Sequence, residues 1–123
     1  MTDYTDLVDR YLATWNEADP AARAAKVAAL WAADGTYTDP LADVAGHEGV
    51  AAVIAGARDM FPGHEFRPRP GVDGHHGVVR FGWDLVPDGG TESTVSGFDV
   101  AVLDADGRIR TVLGFLDKVP APS

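Results

Sequence analysis

Gly35-Thr36-Tyr37-Thr38-Asp39-Pro40-Leu41 marks the point where the chain changes from helical to extended. Upstream, alternating alanine and larger apolar residues read as helix. Asp34-Gly35 stops that helix, and Thr36 to Thr38 has the β-branched and aromatic make-up of a short strand. Asp39 then stands at a strand end, just before a proline, where its carboxylate can project into whatever the later elements enclose. An aspartate before proline is also an ordinary turn starter whose side chain bonds nearby backbone amides.

On the N-terminal side, the apolar residues between Asp3 and Glu17 are Tyr4, Leu7, Val8, Tyr11, Leu12 and Trp15. Their three-and-four spacing is one face of a helix. Asp19-Pro20 supplies an N-cap and a first-turn proline. The spacing predicts a second helix to about Ala33, with Val27, Leu30 and Trp31 as its stripe. Leu41 to Gly46 reads as a loop, and His47 to Met60 as a third helix ended by Pro62-Gly63.

Beyond that point the apolar period becomes two. Strands are expected over His64–Arg69, His76–Val86, Thr91–Leu103 and Arg108–Lys118, with turns at Asp73-Gly74, Asp88-Gly89-Gly90 and Asp106-Gly107. Helices first and strands afterwards argue for an α+β domain with helices covering one face of a curved sheet. The expectation is a single domain over residues 1–119, with Pro120 to Ser123 as a loose tail.

The 123 residues suffice for a core without staples, and the absence of cysteine excludes disulfides and thiolate metal sites. Met1-Thr2-Asp3-Tyr4 is not the start of a leader, and no run is long enough to span a membrane, so a cytoplasmic location is expected. A net charge of −9 disfavours nucleic acid and anionic membrane surfaces. The four histidines lack metal-ligand spacing, and no phosphate loop or nucleophile elbow is present. Neither a metal nor a cofactor is expected.

Three residues carry the candidate chemistry: Asp39, Tyr11 and Asp99. Tyr11 lies on the apolar stripe of the first helix, as a core tyrosine would. Alternation places Asp99 on one face with Val95, Gly97, Ala101 and Leu103. Burial there disfavours its charged form and makes it a hydrogen-bond donor near neutrality, unless it pairs with a cation such as Arg80. Trp15, Trp31, Tyr37, Phe61, Trp83 and Phe115 are core candidates that can also line a cavity.

Arg10-Tyr11-Leu12 with Asp19, the run from Trp31 to Pro40, Gly46-His47-Glu48-Gly49, Phe98-Asp99-Val100 and Asp106-Gly107-Arg108-Ile109 together resemble the nuclear transport factor 2-like superfamily. Within it the chain is similar to SnoaL-like polyketide cyclases and ketosteroid isomerases. The resemblance implies a cone-shaped fold, three N-terminal helices on a curved, mostly antiparallel sheet, and a homodimer. It implies a small apolar carbonyl-containing ligand, with Asp39 as general base and Tyr11 plus protonated Asp99 as donors to an enolate oxygen. Trp31 and Ile54 stand where the isomerases often have supporting tyrosines. Three other readings stay open on the same fold: cyclisation with one aspartate as acid–base, epoxide hydrolysis if Arg80 enters the pocket, or a non-catalytic binding or dimerisation domain.

Overall fold

The computed structural model describes residues 4–120. Three helices, α1 (Tyr4–Asn16), α2 (Pro20–Leu30) and α3 (Gly46–Met60), accompany seven strands. These are β1 (Trp31–Thr38), β2 (Asp43–Ala45), β3 (His64–Pro68), β4 (Asp73–His75), β5 (Val78–Pro87), β6 (Val95–Leu103) and β7 (Ile109–Lys118). The sheet order is β2-β1-β7-β6-β5-β3, with β4 also pairing β5. All pairs are antiparallel except β1 with β7, which is parallel. The architecture is the α+β arrangement expected: helices on one side of an open, curved sheet.

The helical stripe of α1 is buried as its spacing predicts, with Leu7, Val8, Tyr11, Leu12 and Trp15 all in the core. At α2 the cap is formed as expected: Asp19 accepts from the Ala22 N–H at 2.8 Å, and Pro20 follows. The helix ends at Leu30, three residues earlier than the pattern predicts. The Trp31 N–H closes the last turn on the Val27 carbonyl, and Trp31 then pairs with Ile109 of β7. Cross-strand pairing overrides the helical propensity of the alanines here. Between Trp31 and Thr36 the register against β7 shifts, and Asp34-Gly35 lies within this irregular stretch of β1 and not after a helix. A side chain at Gly35 would meet the Trp31 ring at 2.8 Å, which explains the glycine.

Two short strands were not anticipated. β2 forms inside the expected loop and pairs with the end of β1. β4 occupies Asp73-Gly74-His75, the expected turn; the turn itself is His76-Gly77, both with positive φ. That is the two-residue hairpin geometry favoured by strand twist. Gly74 serves packing instead, since a Cβ there would meet the Tyr4 ring at 2.8 Å. Pro120 lines the internal cavity; the rest of the expected tail, residues 121–123, and the predicted helix start at Asp3 lie outside the described residues. No helix among the described residues is long and apolar enough to cross a membrane.

Candidate active site

Between the helices and the inner face of the sheet lies a cavity of about 570 Å³. α1 contributes Tyr11 and Trp15, α3 contributes Val53 and Met60, and the sheet contributes Trp83 and Asp99. Leu41, Met60 and Val119, respectively 77%, 63% and 57% exposed, form an apolar rim. The walls are overwhelmingly apolar, and four polar side chains interrupt them: Tyr11, Tyr37, Asp39 and Asp99.

Those four form two phenol–carboxyl pairs. Tyr11 Oη donates to Asp99 Oδ2 at 2.7 Å, joining α1 to β6 across 88 positions of sequence. Asp99 is 3% exposed and Tyr11 1%. Tyr37 Oη donates to Asp39 Oδ2 at 2.6 Å, within one stretch of chain. Tyr37 and Asp39 are two residues apart at the end of β1, so both side chains emerge on the same face. Asp39 Oδ1 accepts the N–H groups of Leu41 and Ala42, each at 2.8 Å, so the turn-starting role and the cavity position hold together. All three bonds to the Asp39 side chain have the carboxyl as acceptor, and Oδ2 keeps a lone pair for one more proton.

Burial pushes the Asp99 carboxyl up to about 6; the Tyr11 hydroxyl and the Trp83 indole oppose this, and the negative charge of Asp39 adds to it. Burial also raises the Tyr11 and Tyr37 phenols, with the carboxyl charges adding to both. Nearness of the two carboxyls explains the coupling. Gly114 of β7 is the register partner of Asp99, and a Cβ on it would meet Asp99 Oδ1 at 2.9 Å and Asp39 Cβ at 3.3 Å. Its φ is not positive, so the backbone does not demand glycine; the space between the aspartates does.

Of the expected lining residues, Trp15, Tyr37, Phe61 and Trp83 face the cavity. Trp31 does not: it is fully buried behind Tyr11, ring centroids 5.5 Å apart. Phe115 does not either. Its neighbour Leu116 takes the inward position opposite Gly97, while Phe115 is 49% exposed and stacks on Phe98 at 4.9 Å on the outer face. Arg80 pairs with Val100 on that same outer face and is exposed, so it forms neither a salt bridge with Asp99 nor an aspartate–arginine–aspartate set. Residues missed from the sequence include Gly114 and the role of Tyr37 as partner of Asp39. Spacing of two within β1 signalled the second. Among the described residues no cluster of three or more potential ligands could hold a metal ion.

A SnoaL-like domain profile matches residues 8–112. A proposed isomerase of the SnoaL-like family from Agrobacterium tumefaciens is 41% identical, covers 95% of this chain and 99% of its own, and superposes with a TM-score of 0.89. A proposed polyketide cyclase from Sinorhizobium meliloti (16% identity, 89% of this chain and 93% of its own, TM-score 0.68) shares the fold. So does a protein of the nuclear transport factor 2-like fold from Exiguobacterium (18%, 90% and 98%, TM-score 0.70), whose function is unknown. No curated protein gives a significant match. Over most of its length, then, the chain belongs to the SnoaL-like family, and it shares the fold of nuclear transport factor 2-like proteins.

Proposed function

We propose that this protein is an enzyme of the isomerase or cyclase type that transfers a proton next to a carbonyl group in an apolar pocket. Asp39 Oδ2 takes the α-proton, and the electrons of the C–H bond move onto the carbonyl oxygen. Tyr11 and protonated Asp99 donate to that enolate oxygen. When Asp99 carries a proton it no longer needs the Tyr11 O–H, and the phenol can turn to the substrate. The enolate then recovers the proton at another carbon, an isomerisation, or adds to an internal ketone carbonyl whose oxygen takes up that proton, an aldol cyclisation. The observation that supports this reading most is the convergence of Asp39 and the Tyr11–Asp99 pair on one apolar cavity. The similarity to proteins proposed as isomerase and cyclase points the same way.

A phenol shaped like the enolate, such as 5,6,7,8-tetrahydro-2-naphthol, tests the donor assignment. Tyr11→Phe and Asp99→Ala should each weaken its binding by about tenfold. Unchanged affinity in both variants sinks the assignment. The non-catalytic reading uses the same cavity and requires that Asp39→Asn leave every turnover untouched.

A second copy of the chain is the proposed partner for the outer face of the sheet, where the Phe98–Phe115 stack and Leu113, 40% exposed, are covered by no helix among the described residues. Sedimentation should find a dimer that Phe115→Asp dissociates; a wild-type monomer at micromolar concentration rules this out.

A further inference from the structure

Among the described residues, those lining the cavity include two aspartates and six aromatic side chains, and no lysine, arginine or histidine. Basic residues on the surrounding elements are turned elsewhere. Arg58, in the last turn of α3, donates to the His64 carbonyl at 2.8 Å. Arg67 of β3 pairs with Glu65 at 2.7 Å, and Arg69 with Asp117 at 3.4 Å. Arg23 is buried on main-chain carbonyls of residues 17 and 18. None supplies positive charge to the pocket.

We propose that the cavity selects its ligand by charge: the carbonyl substrate enters without an anionic group, and a protonated amine is the one charged group the site accepts. This rests on the reading of the cavity as the active site and names its substrate class. An anionic group brought in with the substrate would lose its hydration with no cation to receive it, beside Asp39 and, once it has ionised, Asp99, in a medium that screens repulsion weakly. An ammonium group would meet the opposite conditions: carboxyl oxygens as partners and aromatic faces whose quadrupoles attract cations. Free acids, phosphates and sulfates are therefore excluded, while ketones, esters, amides and amines fit. A substrate that begins as a free acid must reach this protein after a reaction that esterifies or amidates it.

The titration of Asp99 gives a second signature. The groups facing it are Tyr11 from α1 and Tyr37 and Asp39 from β1, while β5 and β7 bring Phe81, Trp83 and Gly114, which do not titrate. A cation in the cavity favours ionised Asp99. Amine affinity should rise as pH increases through about 6.

Three probes on one ring test the proposal: 2-tetralone, protonated 2-aminotetralin and tetralin-2-carboxylate, titrated calorimetrically at pH 7. The carboxylate should bind at least about tenfold more weakly than the ketone, and the amine at least as tightly as the ketone. In an Asp39→Asn, Asp99→Asn double variant the amine and carboxylate affinities should converge. Should that variant fail to fold, the wild-type amine affinity between pH 5 and pH 7 is the substitute, with a rise expected. A carboxylate that binds as well as the ketone, a charge order unchanged in the double variant, a flat pH profile, or no binding by any probe overturns the proposal. If the charge order holds while the phenol ignores Tyr11→Phe and Asp99→Ala, charge selection stands and the proton-transfer reading falls.

Discussion

The two phenol–carboxyl pairs of the cavity are chemically the same and physically unlike. Tyr37–Asp39 sits at a strand end, with Asp39 half-buried and two backbone N–H groups on its second oxygen. Tyr11–Asp99 spans a helix and a central strand, almost wholly buried, and no backbone N–H donates to Asp99. Donors hold the first carboxyl as an acceptor; burial makes the second keep its proton to about 6. In the proposed reaction the same side chain serves as base in the first setting and as acid in the second, where burial is what raises proton affinity.

The largest test of that contrast is Asp39→Asn. If Asp39 is the base, exchange of the α-hydrogens of 2-tetralone for deuterium, followed by NMR, should fall by about a thousandfold with the fold intact by circular dichroism. Wild-type exchange no faster than that of the variant would erase the distinction between the pairs. Next comes stability. In the folded protein Asp99 binds its proton more tightly than in the unfolded chain, whose value lies near 3.8. The contribution of Asp99 to stability is therefore largest below about pH 4, falls as pH rises towards 6, and is lost above that. Asp99→Asn keeps an acceptor for Tyr11 without the charge, so it should raise stability at pH 8 by about 3 kcal/mol and remove the slope between pH 4 and 6. A denaturant series with the slope retained would assign it to another group. The smallest expected effect is the most specific. Gly114→Ala should lower exchange activity a fewfold and shift the Asp99 titration, read by carboxyl ¹³C NMR, with little change in melting temperature. The clash is with the end of a side chain that can give way. An unmoved titration would show that the gap between the carboxyls is not what tunes Asp99.

Much of this was legible in the chain because it is written in local periods. The stripe of α1 put Tyr11 inside, and alternation in β6 put Asp99 on an apolar face. The large side chains that were misplaced have partners distant in sequence. Trp31 looks helical until β7 captures it, and Phe115 looks like a pocket wall until the register of β6 with β7 turns it outward. Arg80 could not be assigned a face for the same reason: parity within a strand is visible, but which parity is inward depends on the neighbouring strand. Glycines were misread in one direction. Gly74 reads as a turn residue in the sequence, yet it and Gly114 mark places where another side chain comes close.

The parallel pairing of β1 with β7 also fixes when the site can come into being. Thr38, next to Asp39, has Leu113 as its partner, so the strand that leads into Asp39 is flanked by β2 alone until the last strand has been synthesised. During translation α1, α2 and β1 leave the ribosome early and wait, with Trp31 and Tyr37 lacking the neighbours that bury them. Their contacts span most of the chain, a topology that folds late and exposes apolar surface meanwhile. Assembly of the cavity's two aspartates and completion of the sheet are then a single event, and a nascent chain stopped short of β7 holds the aspartates without the gap that relates them.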